Sequence, residues 1–309
     1  MLDLNNVVKA VKTKAANPGD RSIRLILYIR GGAAKGAVNA GNVMALNELG
    51  LFDAFRVIVG QSAGACVGAY ALANQFEIGA SVFCEDLASK DFIDLSRIQG
   101  SIMDIDYVMK VISFQSSPKC INREAIWKSG KFFYTICQTA DDKLLTKHIK
   151  NKVLVQDANN SRINMHIRAS ISYPGLWGKT ERIDGQDCRD CVINPLPIKG
   201  ILKALKEYRP THLLILDNWP KETKAPKYTL EEEIAVKTAL ARNPVALEEI
   251  ACNKEIIQEE MEYAGNISDV KIGIVYPEVA YARTLSIDSG LARASVEEGQ
   301  KVIKKLFVS

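Results

Sequence analysis

The sequence lacks a strong charge of either sign. Its 40 lysines and arginines against 36 aspartates and glutamates leave a net charge of only +4. That excess is too small to indicate a nucleic-acid-binding protein, and it would attract an anionic lipid surface only mildly. Internal repeats and low-complexity tracts are also missing, which argues against a repeat architecture.

A cleavable secretory signal is missing as well. Residues 1–20 carry charges throughout and contain no apolar h-region. We therefore expect a protein that is cytoplasmic or exported without a cleaved signal peptide, and peripheral to membranes when it acts. Without such a signal, the seven cysteines are expected to be reduced thiols.

One uncharged run is long enough to span a bilayer. It covers the 20 residues from Val57 to Phe76 and includes three glycines, two glutamines, a serine and an asparagine. Because unsatisfied polar groups are costly in hydrocarbon, a buried strand followed by a closely packed helix explains this run better than a transmembrane helix.

Apolar segments with strand-like and helix-like spacing alternate along the chain. This alternation predicts an α/β fold, a three-layer α/β/α sandwich with a mostly parallel central sheet. No linker divides the chain, so we expect a single domain over residues 1–309. The expected strands are 23–29, 57–59, 152–156, 163–167, 213–216 and 270–275, with a hairpin over 181–191. The expected helices are 4–14, 40–49, 77–89, 102–114, 231–241, 246–263 and 292–306, with one more beginning at 194–195.

The segment Gly60-Gln61-Ser62-Ala63-Gly64 has the Gly-x-Ser-x-Gly pattern of a nucleophile elbow. In such an elbow the serine lies on a sharp turn between a strand and a helix. The two glycines keep neighbouring atoms clear of its hydroxyl. Ser62 is therefore the candidate nucleophile, and an ordinary strand-to-helix turn is the alternative.

A glycine-rich loop joins the preceding expected strand to its helix. Residues 30–36 read Arg-Gly-Gly-Ala-Ala-Lys-Gly, and such loops present backbone N–H groups to negative charge at a helix N-terminus. The phosphate-binding patterns Gly-x-x-x-x-Gly-Lys-Ser/Thr and Gly-x-Gly-x-x-Gly are absent. We therefore favour an oxyanion hole for acyl transfer, with a purely structural turn as the alternative.

A nucleophilic serine needs a base to accept its proton, and the chain has only three histidines. His148 lies in a charged run, and His166 alternates within an expected strand. His212 begins a strand, at the sheet edge opposite to the usual position of a triad histidine. A desolvated carboxylate can serve instead, and Asp184 and Asp190 are the candidates.

Together these motifs resemble the patatin-like phospholipase family. Its members have a Gly-Gly-Gly-x-Lys/Arg-Gly oxyanion loop, a Gly-x-Ser-x-Gly elbow and a catalytic Asp in an Asp-Gly-Gly/Ala motif, followed by Asn-Pro-x-Pro-like residues. Residues 31–36 resemble the first motif, 60–64 the second, and 194–197 the end of the third. The resemblance covers about 23–217, and 221–309 would be a helical extension packed on this core.

The resemblance implies a phospholipase A or lysophospholipase type of hydrolase that works through a serine acyl-enzyme. Ser62 would be the nucleophile and Asp190 the base. The implied oxyanion donors are the backbone N–H groups of Gly31, Gly32 and Ala33. The residues that would support these motifs are Lys35, Gly36, Gly60 and Gly64. No metal and no organic cofactor is required.

The position of the catalytic Asp is the irregular part of the match. Counted back from Asn194, Arg189 falls at the position of the Asp. Counted forward from the turn at Gly185, Asp190 falls at the position of the Asp, and one glycine of the family motif is missing. We therefore expect Asp190, rather than Asp184, to be the base.

Two departures leave other functions open. Ala33 stands at the third loop glycine and should restrict φ to negative values, and Cys191 follows Asp190 where glycine is usual. If these departures impair catalysis, the chain would be a weak or inactive patatin-like lipid-binding protein. A second alternative is a small-ester or thioester hydrolase with a Ser-His-Asp triad that uses His212.

Cys188 and Cys191 form a C-x-x-C pair within the expected hairpin. A zinc site would need two more ligands, and no second pair has suitable spacing. We therefore expect no metal.

The expected partners are an acyl-lipid substrate, a membrane surface contacted transiently and, in addition, a protein activator. The apolar segment 102–114, which includes Met109, would line an acyl-chain groove, form a lid over Ser62 or pack in the core.

Overall fold

A computed structural model describes residues 2–97, 101–139, 153–158, 162–222, 228–241 and 244–308. Within them, eight strands form one sheet. The strands are β1 Leu25–Ile29, β2 Val57–Gln61, β3 Phe132–Thr139, β4 Val153–Asp157, β5 Glu181–Ile183, β6 Gln186–Arg189, β7 His212–Leu216 and β8 Lys271–Val275. The α-helices are α1 Leu4–Ala16, α2 Gly36–Glu48, α3 Ala63–Leu72, α4 Phe76–Ser81, α5 Ile105–Ser113, α6 Arg123–Lys128, α7 Ile163–Ile171, α8 Ile198–Ala204, α9 Leu230–Leu240, α10 Pro244–Ala251, α11 Asn253–Asn266 and α12 Ser289–Val308.

Five neighbouring strands of the sheet are parallel, in the order β3-β2-β1-β7-β8. In the register of this block, Tyr28 of β1 lies between Val59 of β2 and Ile215 of β7. The carboxyl ends of β1, β2 and β7 therefore meet at one edge of the sheet. The remaining strands, β4, β5 and β6, are antiparallel to their neighbours.

The strands β2 and β6 approach each other end to end along β3. On one side of β3, β2 is parallel to it and ends with Gln61 opposite Ile136. The other side of β3 pairs with β4 as far as Gln138. Gln138 also pairs with Arg189 of β6. Strand β6 must therefore lie on the same side of β3 as β2. Because β6 is antiparallel to β3, its carboxyl end faces that of β2.

Helices cover both faces of the sheet. Along β1, Leu25, Leu27 and Ile29 belong to a buried cluster with residues of α1, α2, α3 and α12. Ile26 and Tyr28 point to the opposite face, where the cluster includes residues of α8 and α11. All five side chains are fully buried, as expected for a central parallel strand. The expected three-layer α/β/α sandwich is confirmed.

The long uncharged run is β2 followed by α3. Among the described residues, no helix is both long enough and apolar enough to cross a membrane.

Two local expectations are wrong. The segment expected as the strand 163–167 is the helix α7. Its buried residues at positions 163, 166, 167, 170 and 171 recur at helical spacing and share one helix face. The helix expected at residues 194–195 begins only at Ile198. Pro197 disfavours helical dihedrals at the residue before it, so helix formation starts after this second proline.

The C-terminal part is close to expectation. The capping box at Thr229 and Glu232 is present at the start of α9. The expected helix 246–263 is divided between α10 and α11.

Helices α2 and α12 lie in backbone contact through two glycines. A Cβ atom added to Gly41 would lie 1.9 Å from the carbonyl oxygen of Val296, and one added to Gly299 would lie 2.0 Å from that of Val38. Neither oxygen can give way without moving its helix. The glycines therefore set the distance at which the last helix packs on α2.

We predict that Gly299→Ala lowers the free energy of unfolding by about 1–3 kcal/mol, since the added methyl group must separate the two helices. Urea denaturation measures this loss. Gly265→Ala in α11 is the matched control, because no other group lies within 4 Å of a Cβ there. An equal loss in both variants would contradict the proposed contact.

Candidate active site

Ser62 lies on a strained turn between β2 and α3. Its φ is 52° and its ψ is −126°, a left-handed φ that is uncommon for residues other than glycine. A Cβ at Gly60 would lie 2.5 Å from the Cα of Ala65, and one at Gly64 would lie 2.1 Å from the carbonyl oxygen of Ile29. Both elbow glycines are therefore required by close backbone approaches.

The Ser62 hydroxyl donates a hydrogen bond to Asp190. The distance from Ser62 Oγ to Asp190 Oδ2 is 2.6 Å. Asp190 directly follows β6, so the end-to-end approach of β2 and β6 brings the two side chains together. Burial raises the pKa of Asp190 to about 7, although hydrogen bonds from Ser62 and the Cys191 N–H act in the opposite direction. Near neutral pH this carboxyl group can therefore both take up and release a proton.

Polar side chains of β2 and β3 hold the segment that follows Asp190. Gln61 Nε2 donates to the carbonyl oxygens of Cys191, at 2.9 Å, and Asn194, at 3.2 Å. The side chain of Gln138 accepts from the Ile193 N–H at 3.0 Å. Because both amides are buried, these bonds form away from competing water and keep Asp190 in place.

The glycine-rich loop after β1 lies directly beside Ser62. A Cβ at Gly31 would lie 2.4 Å from the Cβ of Ser62, so only glycine permits this approach. In the part of the chain that the structure describes, the backbone N–H groups of Gly31, Gly32 and Ala33 donate to no protein acceptor. They can therefore donate to a bound group.

Ala33 corrects one expectation. Its φ is +51°, whereas the sequence predicted negative values for an alanine at this position. The loop thus keeps the left-handed conformation that a glycine adopts freely, and Ala33 bears a steric cost of about 1–2 kcal/mol.

Side chains from later in the chain hold this loop in place. Asn218, just after β7, donates from Nδ2 to the Gly31 carbonyl oxygen. Asn39 of α2 donates to the Arg30 carbonyl oxygen at 3.0 Å, and the Arg30 guanidinium pairs with Asp217. The contacts of these side chains were not predicted from the sequence. A polar pair directly after a buried strand was the available signal.

Ser170 holds the backbone of Ser62. Its hydroxyl accepts from the Ser62 N–H at 2.8 Å and donates to the Ile136 carbonyl oxygen at 2.6 Å. The N–H of the elbow serine is therefore already engaged, which leaves the loop of residues 31–33 as the source of free donors.

Comparison with known proteins agrees with the motifs. The model of the patatin-like phospholipase family matches residues 27–199, more than half of the chain.

The chain belongs to the patatin-like phospholipase family.

Membership implies lipid acyl hydrolase activity. None of the curated proteins compared with the chain matches its sequence. Among solved structures, VipD from Legionella pneumophila has 12% sequence identity and a TM-score of 0.41, over 92% of this chain and 67% of its own. The type III effector ExoU has 18% identity and a TM-score of 0.33, over 77% and 54%.

A complex of SpcU with ExoU from Pseudomonas aeruginosa gives 14% identity and a TM-score of 0.39, over 93% of this chain and 53% of the other. The chain therefore spans about half the length of the ExoU chains that it matches.

The remaining residues of the patatin-like motifs pack around the elbow. A Cβ at Gly36 would lie 2.7 Å from the Cβ of Ala63. Lys35 is buried, with Nζ 4.8 Å from the centre of the Trp219 ring. A buried cation over an aromatic ring helps to order the loop, so Lys35 is not a solvated lysine.

The alternative acid–base groups lie elsewhere in the fold. Asp184 is at the turn of the β5–β6 hairpin, where its carboxylate pairs with Arg162 at 2.9 Å. His212 is at the amino end of β7, in contact with Thr211 and Asn6. His166 is on α7 instead of the expected strand, and His148 lies outside the described residues.

Within the described residues, no group of three or more His, Cys, Asp or Glu side chains has an arrangement that could hold a metal ion, and this includes the cysteine pair. Cys191 is buried, and its thiol lies 3.5 Å from the Asn194 carbonyl oxygen. Its side chain therefore points into the core instead of covering Ser62.

An apolar cavity opens at the Ser62 hydroxyl. Its wall includes Phe83, Leu87, Met103, Val108 and Ile171. The free volume is about 30 Å³, room for little more than one water molecule. Of the segment 102–114, Met103, Ile105 and Val108 line this cavity, whereas Met109 is buried in the core cluster and does not line it.

Glu260 of α11 connects the segment after Asp190 to the C-terminal region. Its Oε1 accepts from Asn194 Nδ2 at 2.7 Å, and its Oε2 accepts from the Lys199 N–H at 2.8 Å. Lys199 is in the first turn of α8, where Pro197 provides no side-chain cap. Glu260 therefore supplies the cap that this helix lacks.

We predict that Glu260→Gln lowers the free energy of unfolding by about 1–3 kcal/mol, because an amide can replace only one of the two acceptors and leaves a buried donor unpaired. Chemical denaturation measures the change. The control is Glu259→Gln at the exposed neighbouring residue, for which we expect a change below about 0.5 kcal/mol. Equal stability of the two variants would contradict the capping role.

Proposed function

We propose that the chain is a lipid acyl hydrolase in which Ser62 is the nucleophile and Asp190 is the general base. The observation that carries the proposal is the hydrogen bond of 2.6 Å between Ser62 Oγ and Asp190 Oδ2. A base must lie within this distance of the proton that it removes, and its pKa is best near the working pH. The pKa of Asp190, about 7 because of burial, meets that requirement.

In the proposed acylation step, Asp190 accepts the hydroxyl proton while Ser62 Oγ attacks the ester carbonyl carbon. The carbonyl oxygen becomes an oxyanion and receives hydrogen bonds from the backbone N–H groups of Gly31, Gly32 and Ala33. As the intermediate collapses, the ester bond breaks and Asp190 returns the proton to the alcohol that leaves.

The deacylation step uses the same groups. Asp190 accepts a proton from a water molecule, which attacks the acyl-enzyme, and the same N–H groups stabilise the second oxyanion. The fatty acid leaves as Ser62 regains its proton. No metal or organic cofactor takes part in the proposed reaction.

The lining of the cavity at Ser62 supports an acyl chain as the group transferred. Its wall is apolar, so an alkyl chain gains about 0.8 kcal/mol per methylene group that it buries there. Since the free volume is about 30 Å³, the side chains of the wall must move to admit a chain. We therefore propose an acyl-lipid substrate that the protein reaches by transient contact with a membrane surface.

The two alternatives have less support. A triad would need His212 near Ser62, but His212 begins β7 at the opposite edge of the sheet. An inactive lipid-binding protein would be favoured if Ala33 or Cys191 removed a reacting group. Neither does, since the Ala33 N–H is free of protein acceptors in the described structure and Asp190 remains within hydrogen-bond distance of Ser62.

We predict that Ser62→Ala and Asp190→Asn each lower kcat/KM by at least about a thousandfold, because neither variant retains both nucleophile and base. Hydrolysis of a fluorogenic medium-chain acyl ester and of mixed phospholipid vesicles measures this. Asp184→Asn is the control, since Asp184 lies at the exposed hairpin turn, and we expect it to stay fully active.

Activity retained by Asp190→Asn would contradict the proposal. Should the wild-type protein turn over neither substrate, a fluorophosphonate probe tests the nucleophile directly. Labelling of Ser62 would then support a competent nucleophile that needs an activator, and absence of labelling would favour the inactive lipid-binding protein.

The pH dependence gives an independent prediction. Only the ionised form of Asp190 can accept a proton, and burial holds its pKa at about 7. We therefore expect log kcat/KM to rise with a slope of about one below pH 7 and to level off above it. The Asp184→Asn variant should give the same profile. A rate that stays constant between about pH 5 and pH 8 would exclude a base with this pKa.

A further inference from the structure

A basic groove lies at the amino-terminal edge of the sheet. Five cationic side chains line it, and the lining contains one carboxylate, that of Asp269. The cations are Arg24, Lys199, Lys203, Lys206 and Arg209. The five cations exceed the single carboxylate of the lining by four charges.

The groove is remote from Ser62. Arg24 precedes β1, whereas Gly31, which touches Ser62, follows it. An extended chain advances about 3.3 Å per residue, so these two positions are about 20 Å apart. The groove and the candidate active site therefore open at opposite edges of the sheet.

Most cations of the groove form no ion pair in the part of the chain that the structure describes. Within the described residues, Arg24, Lys199, Lys203 and Arg209 form no ion pair, and Lys206 is only 3.8 Å from the exposed Glu207. Cations gathered in a concave surface repel one another and reinforce the positive potential there. An anion bound between them would relieve this repulsion.

The backbone around the groove is held in a defined shape. The Arg24 side chain donates from Nε to the Arg209 carbonyl oxygen and from Nη1 to that of Arg21, the latter at 2.9 Å. Arg209 has a left-handed φ of 52°, and Lys199 Nζ lies 5.9 Å from the centre of the Tyr263 ring. A groove with such fixed walls is partly prepared for a ligand.

We propose that this groove binds a ligand that carries two or more phosphate groups. Its volume of about 580 Å³ is within the usual range for small-molecule sites. The cations come from α8, from the segment before β1 and from the segment before β7, and a ligand with several phosphate groups offers a separate anionic group to each segment. If Ser62 faces a membrane, as the proposed function requires, the groove points away from it, which favours a soluble compound over a lipid headgroup.

Titration calorimetry with sodium tripolyphosphate tests the proposal, on the Ser62→Ala protein so that the result does not depend on hydrolysis. We expect binding that weakens as salt is added. The double variant Lys199→Glu/Lys203→Glu should lose at least about tenfold in affinity, because two attractive charges become repulsive. Both lysines are exposed, so the fold should persist, and circular dichroism checks it.

The matched control is Lys9→Glu/Lys12→Glu, which makes the same change in net charge at exposed residues of α1 outside the groove. We expect its affinity to change less than about twofold. An equal loss of affinity in both double variants would mean that only the overall charge of the protein matters, and it would overturn the proposal. Absence of tripolyphosphate binding would also overturn it.

A second arm distinguishes the sources of phosphate. Phosphatidylcholine vesicles with and without phosphatidylinositol 4,5-bisphosphate are sedimented with the protein. Binding of tripolyphosphate without phosphoinositide-dependent sedimentation supports a soluble ligand. Sedimentation that needs the phosphoinositide and is lost in the groove variant supports a lipid headgroup in the same site.

Discussion

The meeting of β2 and β6 beside β3 determines the geometry on which the candidate site depends. Ser62 directly follows β2 and Asp190 directly follows β6, and one residue position of β3 separates the ends of the two strands. Gln61 pairs with Ile136, and Arg189 pairs with Gln138. A shift of β6 by one residue would turn the Asp190 side chain to the other face of the sheet. The hydrogen bond to Ser62 is thus a consequence of strand register.

Keeping this register has an energetic cost that the surrounding structure must offset. A buried carboxyl group whose pKa is raised to about 7 is ionised less readily in the folded protein than in the unfolded chain, so at neutral pH it opposes folding. The positive φ angles of Ser62 and Ala33 add to this energetic cost. Such strain persists only where neighbouring contacts over-determine it. Here the contacts are the buried amides of Gln61 and Gln138 and the glycines that let the backbones approach.

The fold class, most elements and the family could be predicted from the sequence because they rest on local signals. One such signal is the β-branched run before the Gly-x-Ser-x-Gly pattern, and another is the glycine-rich loop between a strand and a helix. Both can be recognised without knowledge of tertiary contacts. The helix α7 was missed because every second residue from 163 to 171 is apolar, which is the period of a strand. Its buried helix face includes the polar residues His166 and Ser170, which hydropathy does not mark as buried. Ser170, Asn218 and Glu260 were missed for another reason. Each holds a backbone group that is distant in sequence, and no local pattern marks such a contact.

The match to the family ends at residue 199, yet residues beyond it complete the site. Asn218 holds the Gly31 carbonyl oxygen, and the carbonyl oxygen of Thr284 accepts from the Ala34 N–H at 3.2 Å. Glu260 caps the helix that follows Asp190. A side-chain N–H donor, a carbonyl oxygen or a carboxylate at the right distance is enough for these tasks, and many sequences can provide one. The serine elbow and the loop glycines have no such substitutes, because their task is to leave space. This difference explains why the motifs are recognisable while the residues that support them are not.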